Sequence, residues 1–145
     1  MDSHYIAAAR LQQEDFKDIM RKHKQGFVHP AALLFLPDDS RLLIVMEFRS
    51  KAEEEIVLRN LAAYVRESKA KAVILFGTAQ TFIATYGADP VWFLFASIYV
   101  PSEKVYTLGH VYTVIEGEPI FGEEFNSGEK EISPWQFPAF WETST

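Results

Sequence analysis

Five consecutive side chains at 72–76, Ala-Val-Ile-Leu-Phe, carry no polar atom. A strand with one wet face alternates apolar and polar residues, whereas an unbroken apolar run is buried on both faces. Such a strand needs a layer of structure above it and another below. The preceding residues supply one layer. Ser50-Lys51-Ala52-Glu53 is a capping box, with serine at the N-cap and glutamate three residues on. The helix it opens is expected to run to about Lys69. Its expected buried stripe is Ala52, Ile56, Val57, Leu61, Tyr64, Val65 and Ser68. Glu55 and Arg59 add a helical ion pair at i,i+4. Parallel strands joined through a helix make a right-handed crossover. The strand at 72–76 is therefore expected to run parallel to a strand on the far side of that helix.

The surrounding pattern fills in an order. Phe16, Ile19, Met20 and His23 recur at helical spacing, with Lys17, Arg21 and Lys24 on another face, which predicts a helix over 11–24 closed by Gly26. Apolar runs at 31–37 and 41–48, split by Asp38-Asp39-Ser40, predict a β-hairpin. Residues 78–90, with Gly87 and Pro90, read as a connection. A second hairpin is expected at 91–100 and 104–115, around Pro101-Ser102-Glu103. An edge strand is expected at 119–125, where a proline is tolerated. The expected fold is one α/β (α+β) domain over 1–131, a mixed sheet in the order α-β-β-α-β-β-β(-β) with helices packed on it. Residues 132–145 are read as an aromatic tail, packed on the domain or on a second subunit.

Residues 26 to 80 resemble a type of small, uncharacterised bacterial and phage α/β protein. The shared features are a proline after a short turn, an apolar hairpin, an amphipathic helix and the Ala-Val-Ile-Leu-Phe strand. That group continues the strand into Ser-Glu-Ala-Trp, where this chain has Gly77-Thr78-Ala79-Gln80, so the resemblance implies no activity. The α-β-β-α-β order also resembles the core of JAB-type and deaminase-like folds, at the level of topology alone. JAB-type enzymes carry His-x-His after the strand matching 72–76; here the residues are Gly77-Thr78-Ala79. Zinc deaminases need His-x-Glu and Pro-Cys-x-x-Cys, and neither occurs in this chain.

Charge and composition narrow the partners. The net charge is −6, and residues 1–114 hold 13 acids and 13 bases, so the whole excess lies in residues 115–145. Nucleic-acid binding draws most of its affinity from phosphate contacts made by basic residues; the balance here points away from a nucleic-acid partner. The chain has no cysteine, which excludes disulfides, thiolate metal sites and a cysteine nucleophile. The longest apolar stretch, 91–100, is far short of the ~20 residues a spanning helix needs. No basic stretch followed by an apolar one opens the chain, so a secretory signal is not expected. The expectations are a cytoplasmic place, no membrane partner, no metal and no cofactor.

Candidate chemistry is sparse. Glu47 lies at the end of an apolar strand, on the face of Leu43 and Val45, and reads either as a buried acid with a raised pKa or as a strand-end acid in water. Thr78 follows Gly77 beyond the central strand, a position where open α/β sheets bind ligands. His110 sits mid-strand among Tyr106, Leu108, Tyr112 and Val114, and a ring on such a face must find hydrogen-bond partners. His4 reads as part of a mobile terminus, His23 as partly buried, and His29 as extended before Pro30. No Gly-x-Ser-x-Gly elbow or phosphate-cradling glycine loop is present. Trp135, Phe137, Phe140 and Trp141 are large rings in a proline-broken segment, and aromatics are enriched in interface cores. The reading is a non-enzymatic interaction or self-associating protein, with a homodimer or a protein partner. The alternative is a small hydrolase-like or ligand-binding enzyme with a pocket at the strand ends built from Glu47, Thr78 and His110.

Overall fold

Asp2 begins the first helix by accepting the His4 N–H on its carboxylate at 2.8 Å, and Lys24 ends it in the left-handed conformation. Helix α1 (Ser3–His23) therefore starts well before residue 11. The early turns are alanine-rich, and Ala8 and Ala9 are buried because a methyl side chain lets the helix lie close to the sheet. His4 belongs to the first turn of this helix, and His23 at its other end is exposed. The structure is a computed structural model that describes residues 1–81, 91–126 and 140–141.

A hairpin of β1 (Ala31–Phe35) and β2 (Arg41–Val45) follows, turning through a left-handed Asp39. The serine half of the capping box forms as the sequence requires, while the glutamate reaches one residue farther back than the Ser50 N–H. Ser50 Oγ accepts the Glu53 N–H at 3.2 Å, and the Glu53 carboxylate reaches back to the Arg49 N–H at 3.3 Å. Helix α2 (Lys51–Ser68) buries Leu58, Leu61, Ala62 and Val65. Ile56 and Tyr64 of the expected stripe are exposed, because the helix is turned toward the Leu58–Ala62 side. Strands β3 (Ala72–Thr81), β4 (Val91–Tyr99), β5 (Tyr106–Ile115) and β6 (Glu118–Asn126) complete the order.

The six strands lie in one sheet, β2-β1-β3-β4-β5-β6, and every ladder is antiparallel. The mixed sheet expected from the sequence is corrected here. β3 does run in the direction of β2, but β1 lies between them and is antiparallel to both. Helix α2 carries the chain across β1, so the crossover creates no parallel neighbours. Two-sided burial of 72–76 reflects layers on both faces, and it holds for either pairing sense. The fold is a single α+β domain.

The two faces are distinct. On one, α1 packs through Ala8, Ala9, Phe16 and Met20 onto Ala31, Leu33, Ile74, Phe76, Leu94, Ala96 and Leu108. On the other, α2 packs through Leu58, Leu61, Ala62 and Val65 onto Ala32, Leu34, Val73 and Leu75. Phe140 joins this second core: its ring meets Tyr99 edge-on at 5.2 Å, and its carbonyl accepts from Arg66 at 3.3 Å. Trp141 Nε1 donates to Ala70 O at 3.1 Å. Trp135 and Phe137 lie outside the described residues.

Two substitutions test this packing. In β5, a Cβ on Gly109 would collide with the Leu94 carbonyl oxygen and with the Phe93 ring, which lies across the glycine. Gly109→Ala is expected to lower unfolding stability by about 2–3 kcal/mol through forced overpacking, measured by chemical denaturation. Phe140→Ala empties a buried site between α2 and Tyr99 and is expected to cost about 3 kcal/mol by the same measurement. An unchanged unfolding midpoint would contradict either placement.

Candidate functional site

Sheet register decides which candidate residues meet. Thr78, Leu94, His110 and Glu124 fall in one row across β3, β4, β5 and β6. Thr78 is within β3 and so is not part of a loop beyond it; residues 78–81 continue the strand through Gly77. Its Oγ1 accepts the Val28 N–H at 3.4 Å. His110 lies two strands away, about 10 Å at the usual inter-strand spacing, with the fully buried Leu94 between. The Nδ1 of His110 sits 2.9 Å from the Gly122 carbonyl, to which it can only donate. The ring is half-buried where a bulge shifts the β5–β6 register.

Glu47 is elsewhere. It lies just past β2 with its side chain 74% exposed, facing His29 at 3.8 Å. Of the two readings of Glu47, the strand-end acid in water holds and the buried acid does not: α1 meets β2 at its Arg41 end, through His4, and Leu43, Val45 and Glu47 farther along the odd-numbered face are exposed. Four inter-strand steps, about 19 Å, separate β2 from β5. The structure does not bring Glu47, Thr78 and His110 together.

Tyr112 is the polar group most tied to the core. Its hydroxyl donates to Gly26 O at 2.6 Å beside Thr78, fastening the segment after α1 onto the sheet. Burial pushes its phenol up to about 12, against the opposing pull of the Thr78 hydroxyl. Gln13 is buried in α1 above the row, with Nε2 3.4 Å from both Leu94 O and Leu108 O and with Oε1 unpartnered among the described residues.

Three cations of α1 have carboxylate partners within the chain. Arg10 meets Glu124 at 2.8 and 3.0 Å, Lys17 meets Glu14 at 2.7 Å, and Arg21 meets Asp18 at 3.4 Å. Lys17 and Arg21 also lie over the Phe121 ring, at 5.6 and 5.3 Å. The Lys17 ammonium holds the Glu14 carboxyl below its ordinary range. This seam clasps β6 to α1.

A cleft of about 310 Å³ opens at the opposite end of β1, lined by His4, Tyr5, Phe35, Leu36, Asp39, Arg41 and Lys71. Its groups are already engaged with one another. Lys71 Nζ meets Asp39 at 2.6 Å, which raises the lysine and lowers the acid. Arg41 stacks on the Phe35 ring at 4.9 Å and approaches His4 Nε2 at 3.2 Å. The cluster braces the β1–β2 turn against the start of α1 and holds no nucleophile-base pair. Among the described residues, no three His, Asp or Glu side chains gather as metal ligands. No helix among them is long and apolar enough to cross a membrane.

What sequence reasoning missed is an edge. Among the described residues β2 pairs only with β1, and Leu43 and Val45 on its α1-side face are 40% and 57% exposed. The even-numbered residues of this stretch turn their backbone groups inward. Met46 N–H donates to Pro30 O at 2.7 Å, and Leu36 N–H to Ser40 O at 2.9 Å. By alternation the N–H and C=O groups of Arg41, Leu43 and Val45 point outward. The signal available in the sequence was composition: the run Arg41-Leu42-Leu43-Ile44-Val45 lacks proline, glycine and acid, whereas β6 holds Pro119, Gly122, Glu123 and Glu124.

Comparison with family models, curated proteins and solved structures returns no match to this chain.

The Tyr112 phenol yields a pH test. Its folded pKa lies above the unfolded value of 10.0. Its contribution to stability is therefore fully present below about pH 10 and is lost as pH rises through about 12. Tyr112→Phe is expected to cost about 1 kcal/mol near neutrality, from the lost hydrogen bond, and to flatten the alkaline fall in stability. Denaturation midpoints from neutral to alkaline pH check this; an alkaline slope unchanged in the variant would refute it.

Proposed function

We propose that this protein is a non-enzymatic binding protein that docks an extended protein segment along the open edge of β2. The observation that supports the reading is the contrast between the two edges of one sheet. Exposed strand edges invite pairing, and proteins commonly blunt them with proline, charge, bulges or a covering element. β6 has all of these: Pro119, Glu118 and Glu123, the register shift at His110/Tyr112, and the α1 seam through Glu124. β2 carries one charge, Arg41 at its first residue, and no proline, bulge or covering strand among the described residues, and it adds two exposed apolar side chains. Strand addition takes affinity from main-chain bonds and specificity from alternate side chains, and outward backbone groups beside Leu43 and Val45 supply both. The wide separation of Glu47, Thr78 and His110 removes the relay on which a hydrolase-like reading would depend.

Selection of short peptides against the immobilised protein tests the reading. The selected peptides are expected to be extended and alternating, and to shift the backbone amide resonances of Arg41, Leu43 and Val45. Val45→Pro removes one outward N–H while keeping the inward ladder, since proline is tolerated where the N–H faces solvent. It is expected to abolish peptide binding without changing the melting temperature. Peptides that bind this variant as well as the wild type would overturn the reading.

A further inference from the structure

We infer that the segment received by β2 is the β2 strand of a second copy of this chain, paired antiparallel about a two-fold axis through Ile44. This rests on the edge-docking reading and names its partner. Closed two-fold dimers are the commonest symmetric assembly, and an isologous interface must be self-complementary. The strand meets that demand in one register. With Ile44 opposite its own copy, Leu43 faces the copy's Val45, Leu42 faces Met46, and Arg41 faces Glu47.

Each of those pairings joins like with like or charge with countercharge. Leu43 and Val45 are the exposed apolar residues of the strand, and each would be covered by the other's counterpart. Arg41 and Glu47 share the face of Leu43, because the ladder with β1 continues to Met46 and keeps the alternation in step. Neither has a close ion pair among the described residues: Arg41 lies on Phe35 and His4 with no carboxylate partner there, and Glu47 faces the exposed His29 at 3.8 Å. Opposite charges placed directly across an antiparallel pair stabilise it, and like charges destabilise it. The neighbouring register, centred on Leu43, sets Arg41 against Val45 and leaves Glu47 opposite the turn with no countercharge, so charge selects the Ile44-centred one.

The backbone agrees with that choice. The outward-facing residues are the odd-numbered ones, so Leu43 with the copy's Val45, and Arg41 with its Glu47, become hydrogen-bonded pairs that each exchange two bonds. Ile44 opposite Ile44 is the close, non-hydrogen-bonded pair at the axis, where side chains approach most nearly. The product is one continuous antiparallel sheet through both copies, with β6 at each outer end.

Charge exchange tests the register and the partner together. By light scattering and sedimentation equilibrium the wild type is expected to be a dimer. Arg41→Glu and Glu47→Arg are each expected to weaken association about tenfold or more, from two symmetric pairs turned repulsive. The double variant Arg41→Glu/Glu47→Arg is expected to restore it, with thermal melts confirming that all three remain folded. Dimers that survive both single reversals, or a double variant that stays dissociated, would overturn the register. A wild type that remains monomeric at its highest attainable concentration would overturn the second-copy assignment. If selected peptides still shift the β2 amides in that case, the edge reading stands with a different protein as partner; if they do not, both fail.

Discussion

The width of the sheet governs everything else in this molecule. Six strands about 4.8 Å apart span roughly 24 Å, whereas a helix with its side chains is about 10–12 Å across. One helix on each face cannot cover that width. Helix α1 settles over β3 and β4 and reaches β6, where Arg10 finds Glu124 and Phe121 receives Lys17 and Arg21. Helix α2 settles over β1 and β3 on the reverse face. On the α1 side the odd-numbered face of β2 stays exposed at Leu43 and Val45, as do Trp92 in β4 and Val114 in β5. The exposure of Leu43 and Val45 follows from that geometry.

The two edges then diverge in chemistry. At β6 the chain spends a proline, several acids, a bulge and a clasp to the helix, and the strand is a poor template for any further partner. At β2 the chain is a plain apolar run between a braced turn and a capped helix. The brace itself, Lys71 on Asp39 and Arg41 on Phe35 and His4, holds the start of β2 in place from behind. A strand held firmly along one side, with its other side open, loses little conformational freedom on accepting a neighbour.

Much of the fold was legible in the sequence, and the parts that were not share a cause. Ser50 and Glu53 announced α2 because capping is a local contact. The apolar run at 72–76 announced a central strand because burial follows composition. Local pattern is silent on what lies across the sheet. It placed Glu47 on the correct side of β2 and could not show that no helix would cover it. It put Thr78 in a turn beyond the central strand and His110 mid-strand, as members of one pocket, with no measure of the strand between them. It read 72–76 as parallel, since two-sided burial is common in parallel sheets, and had no means of slotting β1 between β2 and β3. The buried stripe of α2 was ambiguous for the same reason. Ile56 and Tyr64 fit helical spacing as well as Leu58 and Ala62 do, and only the position of Val73 and Leu75 beneath selects between them.

The kind of partner follows from how little apolar surface β2 exposes. Two side chains, Leu43 and Val45, form too narrow a strip to seat the apolar face of a helix, which recognises grooves through anchors spread over several turns. The α2 face offers no alternative at the point where the tail returns, since Phe140 is buried there and Trp141 is bonded to Ala70 O. Among the described residues the outward backbone of β2 has no partner strand, and backbone can be satisfied in register only by another strand. A strand laid there would cover Leu43 and Val45 as it bonded to the edge, so the same contact that completes the ladder also removes the exposed apolar surface. That coincidence of polar and apolar demand at one edge is the physical reason to look for the protein's function in what it binds.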